Sequence, residues 1–297
     1  MSIEWQTEVG EIRTLMVKHA RDAFLSEEKL DAEWKKLGYI GRPDLGRAVA
    51  EYDAFLAAIA ELAPGVEVAE LPPDPELSLD SLYPHDASIP TSAGMILCRM
   101  GKAARSPEPA AHEGLFRSRG IPILGRIDGR GRVEGGDVVW LDPSTLLVGR
   151  GYRTNDEGIR QLRSLLDPLG VSVVVVPLPH YRGPSDVFHL MSILSPVDVD
   201  AVVVYSPLMP VPLRELLLER GHRLIEVPDE EFDSQGCNVL AAAPGRCVAV
   251  EGNPVTRSRM EAAGIEVRSV RGREICEKGM GGPTCLTRPL ERSAPRG

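Results

Sequence analysis

Apolar and polar positions along the chain follow a unit that recurs five times. A complete unit has two short apolar runs, an amphipathic stretch with apolar residues three to four positions apart, and a further β-rich run. The clearest copy reads DVVWLD, TLLVGRG, NDEGIRQLRSLLDPLG and VSVVVVPLP. Later copies start about fifty residues apart, as from His189 to Asn238. The pattern therefore predicts five ββαβ units.

The ends of the predicted helices and the turns between strands favour one fold class over another. Gly170, Gly221 and Gly264 stand between a helical stretch and an apolar run, where glycine commonly ends a helix. A Rossmann fold needs a glycine-rich turn after its first strand, and none is present. A closed ring of small sheets fits better, with residues 1–297 as a single α/β domain. The tail after Leu290 is expected to be frayed.

Composition and charge narrow the classes of partner. The chain is 43% hydrophobic and 26% charged, with a formal net charge of -9, which argues against nucleic-acid or anionic-membrane partners and favours a small cation. Neither a secretory leader nor a membrane-spanning run is evident. The odd number of cysteines and the absence of CxxC spacing argue against a disulfide framework or zinc ribbon, and predict a cytoplasmic protein. These cysteines are Cys98, Cys237, Cys247, Cys276 and Cys285.

Three segments place reactive side chains where strands meet loops. They are EGGDVV at Glu134, FHLMS at His189 and GMGGPTC at Cys285. Glycines beside the cysteine would allow close backbone approach and unusual dihedrals around a thiol in a narrow pocket. Each residue also has a simpler interpretation when taken alone: a buried structural thiol, a hydrogen-bonded core histidine and a turn acid. The combination of a cysteine with a distant histidine and acid predicts nucleophilic catalysis.

Together with GRGYRTNDEG, GCNVLAA and GGPTCLTRPL, and in this order, these segments resemble the pentein guanidino-group-modifying enzymes. That superfamily includes arginine deiminases, amidinotransferases and, closest in length and motif, dimethylarginine dimethylaminohydrolases. The resemblance covers nearly the whole chain. It implies a five-bladed pseudosymmetric α/β propeller of ββαβ repeats with a central active site. It also implies a small guanidino amino acid as ligand, and neither metal nor cofactor.

The resemblance implies roles for the three reactive residues. Cys285 would attack the guanidinium carbon and form a covalent S-alkylthiouronium intermediate. His189 would protonate the leaving amine and then activate water, while Glu134 would orient His189. A planar, resonance-stabilised guanidinium needs both a strong nucleophile and such an acid.

The resemblance also implies substrate contacts. Asp86 matches the acid that binds the guanidinium, and Asp80 matches a further substrate-contacting acid, although a surface aspartate is an equal interpretation. Arg153 and Arg105 match arginines that hold the substrate carboxylate, a bidentate task that suits arginine. Arg105 alone would otherwise read as a solvated surface residue. The charged stretch His19 to Leu37 is expected to be either a lid or a solvated helix.

Two departures bear on the substrate. Deiminases have an aspartate two residues after the histidine, where this chain has Met191, which points away from unmodified arginine. His85 stands where dimethylaminohydrolases usually have another acid. We therefore expect hydrolysis of an N-methylated arginine to citrulline and an alkylamine. The alternatives are an amidinotransferase, an arginine deiminase-type enzyme and a non-catalytic propeller that acts as a binding protein. The sequence is compatible with a homodimer.

Overall fold

The computed structural model describes residues 7–294, whose strands form five three-stranded sheets. The strands are β1 (Ile12–Val17), β2 (Glu67–Glu70), β3 (Ser88–Thr91), β4 (Gly94–Leu97), β5 (Ile123–Arg126), β6 (Val138–Asp142), β7 (Thr145–Arg150), β8 (Ser172–Pro177), β9 (Leu194–Asp198), β10 (Ala201–Val204), β11 (Arg223–Glu226), β12 (Leu240–Ala243), β13 (Arg246–Val250), β14 (Glu266–Val270) and β15 (Thr287–Arg292). The helices are α1 (Ala20–Phe24), α2 (Glu27–Leu37), α3 (Leu45–Leu62), α4 (Glu108–Ser118), α5 (Asp156–Leu166), α6 (Val211–Glu219), α7 (Asp229–Phe232) and α8 (Pro254–Ala262).

Every sheet repeats one pairing pattern, with its middle strand antiparallel to the first and parallel to the third. In the third sheet β7 pairs antiparallel with β6 and parallel with β8, and α5 makes the crossover. Leu146, Leu147 and Val148 of β7 are fully buried, as a central strand with both faces covered requires. Asn155 caps α5 by accepting a hydrogen bond from Gly158 N at 2.9 Å. The predicted five-bladed α/β propeller of ββαβ repeats is confirmed.

The first sheet is closed by a strand from the other end of the chain. Its order is β15-β1-β2, with Leu15 opposite Pro289 and Val17 opposite Thr287. The expectation of a frayed tail after Leu290 is therefore wrong for Glu291 and Arg292, which belong to β15. The Arg292 guanidinium is buried and donates to the carbonyls of Gly10 and Ala241 at 2.6 and 2.8 Å. Residues 295–297 of that tail lie outside the described residues.

The predicted helix ends agree with the structure, but two first strands, β3 and β15, were not predicted. Gly170, Gly221 and Gly264 have φ values of 70°, 79° and 88°, so all three adopt the left-handed conformation expected where a helix ends. β3 is the first strand of the second blade. Its sequence SIPT is short, and the proline weakens its strand signal. Within residues 7–294 no helix combines the length and apolar character needed to cross a membrane.

Candidate active site

Each blade contributes one side chain from the segment immediately ahead of its first strand. Asp86 precedes β3, Glu134 precedes β6, His189 precedes β9, Asn238 precedes β12 and Cys285 precedes β15. Three of these segments are one-turn helices that contact one another in sequence around the ring. Because the repeats are pseudosymmetric, equivalent positions converge on one centre. Residues far apart in the chain are thereby brought into a single site.

Glu134 and His189 form a buried pair. His189 Nε2 lies 2.7 Å from Glu134 Oε2. The other oxygen of Glu134 accepts hydrogen bonds from the backbone N–H groups of Gly101 and Lys102 at 2.8 and 3.1 Å, and Arg153 Nη1 lies within 3.2 Å of both oxygens. Burial alone would raise the pKa of Glu134, but the hydrogen bond from His189 and the charges of His189 and Arg153 lower it. Glu134 is therefore a carboxylate that fixes the imidazole.

Three carboxylates surround the His189 ring. Burial acts to lower the pKa of His189, but the charges of Asp86, Asp137 and Glu134 outweigh it and raise the pKa to about 9. Asp86 Oδ1 lies 3.9 Å from Nδ1 of the ring. Asp137 Oδ1 accepts a hydrogen bond from Leu190 N at 3.1 Å and so holds the turn that carries His189. At neutral pH the imidazole is protonated and can act as an acid.

Cys285 differs from the other cysteines in its exposure. It is half-buried, whereas Cys98, Cys237, Cys247 and Cys276 are buried. Asn238 Nδ2 donates to its Sγ at 3.3 Å. Burial and the negative charge of Asp86 raise the pKa of Cys285 to about 11, so the thiol is protonated in the free protein. A bound cation would favour the thiolate, since opposite charge stabilises the ionised form.

The glycine-rich turn before Cys285 packs tightly, as its sequence predicts. A Cβ placed on Gly281 would lie 2.6 Å from the Tyr83 ring, and one on Gly282 would lie 2.4 Å from Asn238 Cγ. The unusual dihedral, however, falls on Met280, whose φ is 62°. The glycines thus provide close approach, and the left-handed residue is a methionine whose side chain faces the cavities described below.

Arg105 is enclosed by protein acceptors. It contacts Asp86 through Nη1, donates to both oxygens of Glu108 at 2.8 Å, and reaches the Tyr83 carbonyl at 2.7 Å. Four of the five N–H groups of the guanidinium are thus used within the protein. The alternative interpretation of Arg105 as a solvated surface residue is therefore wrong. Because only one N–H group is left, the predicted contact of Arg105 with a substrate carboxylate is disfavoured. Its position instead fixes Asp86.

Cys285 and His189 lie in the walls of two adjoining cavities. The inner cavity, of about 90 Å³, is lined mainly by charged side chains of both signs, and the outer cavity, of about 520 Å³, is larger and is lined by aromatic, aliphatic and mostly acidic side chains. Lys102 Nζ lies 2.7 Å from Asp80 Oδ2 and donates to the Leu37 carbonyl at 2.6 Å, which ties the end of α2 to the inner cavity. The inner cavity is lined by the predicted substrate-binding residues Asp80, Asp86, Arg105 and Arg153 together with Lys102.

The two departures from the expected motifs occupy different places. Met191 lies in the wall of the outer cavity. His85 lines neither cavity, because its Nδ1 is 2.9 Å from the Thr287 carbonyl and its ring is buried on the other side of the chain. His85 therefore does not take the place of the missing acid. The lid candidate, His19 to Leu37, forms α1 and α2.

One trio among residues 7–294 has the spacing of a metal site. Ligand atoms of Asp86, Glu134 and His189 lie within 4.8 Å of one another. Arg105 and Arg153 already contact the two carboxylates, and His189 is bound to Glu134. A divalent ion would have to displace these cationic partners. The carboxylate oxygens that could bind a metal ion are therefore already paired with Arg105, Arg153 and His189.

Sequence reasoning did not assign roles to three residues that the structure places at the site. Asn238 contacts the thiol, Asp137 holds the His189 turn, and Lys102 joins Asp80 to α2. Asn238 and Asp137 lie inside segments that stood out as motifs, GCNVLAA and EGGDVV, so their positions were a usable signal. Lys102 carries no local signal, because its contacts come from segments distant in the chain.

Comparison with known proteins agrees with this geometry. Residues 69–214 and 211–292 match the family described as arginine deiminase. An arginine deiminase of Mycobacterium marinum is 35% identical over 54% of this chain and 46% of that protein, so the chain spans about half the length of such curated relatives. The N(G),N(G)-dimethylarginine dimethylaminohydrolase of Streptomyces coelicolor is 31% identical over 82% of this chain and 86% of that protein.

A solved structure shares the fold over nearly its full length. The dimethylarginine dimethylaminohydrolase of Pseudomonas aeruginosa, complexed with citrulline, is 24% identical and aligns over 95% of this chain and 100% of that chain with a TM-score of 0.75. The sequence match extends over most of the chain. The chain therefore belongs to the arginine deiminase family, within the pentein superfamily of guanidino-group-modifying proteins.

Proposed function

We propose that the protein hydrolyses a carbon–nitrogen bond of an N-methylated arginine and releases citrulline and an alkylamine. The observation that carries the proposal is that His189, held by Glu134, lies in the wall of the same two cavities as the Cys285 thiol. Such a pair supplies a nucleophile and an acid to one reacting carbon. The relative from Streptomyces coelicolor bears the name of this activity.

The proposed reaction has two steps. The Cys285 thiolate attacks the guanidinium carbon, and the bond from that carbon to the substituted nitrogen breaks as His189 donates a proton to the departing amine. The product of this step is an S-alkylthiouronium. His189, now neutral, takes a proton from water as the water oxygen bonds to the same carbon. The C–S bond then breaks to release the thiolate and citrulline, and the second proton of the water passes to solvent, where it protonates the released amine. The sum consumes one water per amine released.

Charged residues of the inner cavity suit the amino-acid end of the substrate. Asp80 can pair with the α-ammonium group, and Arg153 and Lys102 can pair with the carboxylate. Arg153 uses only Nη1 in its contact with Glu134. Asp86, fixed by Arg105, would face the guanidinium and compensate its charge. The substrate cation would in turn stabilise the Cys285 thiolate.

Met191 decides between methylated and unmodified arginine in this proposal. An apolar side chain beside the guanidinium cannot accept its N–H donors, whereas it can pack against methyl groups. An arginine deiminase is the second candidate, favoured by the 35% identity to the relative from Mycobacterium marinum. Such an enzyme would release ammonia in place of an alkylamine.

The experiment compares purified wild-type protein with Cys285→Ala and with Cys247→Ala, a buried cysteine of β13 that lines neither cavity. Arginine, monomethylarginine and asymmetric dimethylarginine are supplied separately, and citrulline, ammonia and alkylamine are quantified. We expect citrulline and alkylamine from the methylated substrates, loss of turnover in Cys285→Ala and retention in Cys247→Ala. Chelator should leave the rate unchanged. Ammonia from arginine as the faster product would favour the deiminase, and amidino transfer to an added amine would favour a transferase.

A further inference from the structure

The outer cavity is larger than a methylated guanidine requires. Its volume of about 520 Å³ falls in the ~300–1,000 Å³ range of pockets that enclose whole small-molecule ligands. A dimethylamino group occupies on the order of 100 Å³, equivalent to a few waters of ~30 Å³ each. The proposed leaving group would thus fill only a small part of the space beyond His189 and Cys285.

Three aromatic side chains form one wall of this cavity, namely Tyr181, Phe188 and Phe232. Tyr181 lies 5.4 Å from Phe188 and 6.0 Å from Phe232 between ring centroids, and Phe232 stacks on Tyr205 at 3.9 Å. The two contacts of Tyr181 have the spacing of ordinary aromatic pairs, and Phe232 packs face to face on the buried Tyr205 ring. Ile40, which is 71% exposed, extends the apolar surface to the rim.

Two of the charged side chains of this lining are paired with each other. The lining also includes acidic residues that form no ion pair within residues 7–294, namely Asp186, Glu230 and Glu277. Arg182 donates to both oxygens of Asp233 at 2.8 and 2.9 Å, and its guanidinium lies 4.9 Å from the Tyr181 ring centroid. The pair joins the loop before β9 to the turn that follows α7. Because Arg182 and Asp233 compensate each other, this pair holds Tyr181 in place and leaves Phe188 and Phe232 available to a ligand.

The two cavities set the direction in which the substrate lies. Charges of both signs are concentrated in the inner cavity, where Asp80, Lys102 and Arg153 suit an amino acid's ammonium and carboxylate groups. Cys285 and His189 stand where the cavities adjoin. With the amino-acid end inside and the guanidinium carbon at Cys285, the outermost nitrogen and its substituent point into the aromatic cavity.

We infer that the protein acts on arginines whose terminal nitrogen carries a large apolar or aromatic substituent, so that the leaving group is a bulky amine. This inference rests on the proposed function and names its substrate class. The chemistry is unchanged: the carbon–nitrogen bond to the substituted nitrogen breaks, the departing amine receives the proton from His189, and water then replaces the thiolate to give citrulline. The aromatic wall contributes by packing against the substituent.

The test measures kcat/KM of the wild-type protein for three probes, namely the monomethyl, asymmetric dimethyl and N(G)-benzyl derivatives of L-arginine. We expect the benzyl compound to exceed the dimethyl compound by at least about tenfold, since each added carbon in an apolar pocket changes discrimination by ~10- to 200-fold. Mass spectrometry should identify benzylamine and citrulline in equal amounts.

Two variants show whether the aromatic wall is responsible. Phe232→Leu should lower the benzyl-to-dimethyl ratio of kcat/KM about 3- to 10-fold, as loss of an aromatic contact predicts. Phe116→Leu makes the same change in a fully buried core residue that lines neither cavity, and should leave the ratio unaltered. Because the readout is a ratio within one protein, a loss of folded enzyme cancels.

The remaining outcomes separate this inference from the proposed function. Turnover of dimethylarginine with a slower or absent reaction of benzylarginine would overturn the inference and leave the function standing. An equal loss for all probes in Phe232→Leu would mean that the outer cavity is only an entrance, and would also overturn it. Absence of citrulline from every probe would overturn both.

Discussion

The Nε2 atom of His189 lies 2.7 Å from Oε2 of Glu134, and this contact fixes the orientation of the imidazole and contributes to its raised pKa. A carboxylate at hydrogen-bond distance favours the imidazolium, and Asp86 and Asp137 add to the effect. Burial acts in the opposite direction but is outweighed. In the proposed reaction, His189 would therefore act first as an acid.

The dependence of kcat/KM on pH should reflect two groups: as the pH rises, His189, the proposed acid, loses its proton at a lower pH than Cys285, the proposed nucleophile. The pKa of His189 is raised to about 9 and that of Cys285 to about 11, so both groups are protonated at neutral pH. The reactive form has lost one proton. We predict that kcat/KM rises about tenfold per pH unit from pH 7 to about 9, stays level to about 11 and then falls. A plateau that already begins below pH 7 would contradict this order.

Removal of the charge on Glu134 should lower the pKa of His189. In Glu134→Gln the imidazolium loses its nearest carboxylate, and we predict a drop in kcat/KM of about 100-fold or more, since general acid catalysis typically contributes ~10²- to 10⁴-fold. NMR titration of the His189 ring gives the pKa directly. Glu33→Gln, which alters a carboxylate that binds Lys29 and the Leu79 amide, is the control. An unchanged His189 pKa in Glu134→Gln would refute the assigned interaction.

We expect Arg105 to contribute to the stability of the folded protein. Its guanidinium compensates the buried carboxylates of Asp86 and Glu108, whose distances to it are those of close ion pairs. Arg105→Met would leave Glu108 without its cationic partner and Asp86 with only the more distant His189, and we predict a loss of about 3–5 kcal/mol in the free energy of unfolding. Urea denaturation measures the change. Arg117→Met, which breaks an exposed pair with Glu113, should cost less than about 1 kcal/mol. Comparable losses in the two variants would contradict this role.

Arg153 should act on recognition of the substrate carboxylate. Its Nε and Nη2 groups make no contact with Glu134 and are available at the inner cavity. We predict that Arg153→Ala lowers kcat/KM for dimethylarginine about 10- to 100-fold more than for dimethylagmatine, which lacks the carboxylate, because a hydrogen bond to a charged group contributes ~1.5–3 kcal/mol. The agmatine reaction controls for the lost contact with Glu134. Equal losses for both substrates would place the carboxylate elsewhere.

The five repeats could be predicted from the sequence because most ββαβ units show their own periodicity of apolar residues, and several have a glycine that ends the helix. β15 escaped notice as a strand of the first blade, since its partner β1 is more than 260 residues away in the chain. β3 was missed because SIPT is too short to show alternation. Both omissions concern first strands, whose pairing is a property of the assembled ring.

The candidate site was partly readable for the same reason. Cys285, His189 and Glu134 stood out because reactive residue types occur beside glycines or strand starts. The burial of Arg105 and its hydrogen bonds within the protein could not be predicted. They depend on Glu108, Asp86 and the Tyr83 carbonyl meeting at one point. Cavity size and the aromatic wall are likewise products of tertiary packing that no short segment encodes.

Cys285 lies two residues ahead of β15, the strand that pairs with β1 and so joins the two ends of the described chain. The segment that completes the first sheet thus also carries the Cys285 sulfur, which contacts Asn238 and lies in the walls of the same cavities as His189. A chain whose final segment has not docked carries an unpositioned thiol without its acid partner. If Cys285 is the nucleophile proposed above, turnover would therefore report on the docking of β15 against β1.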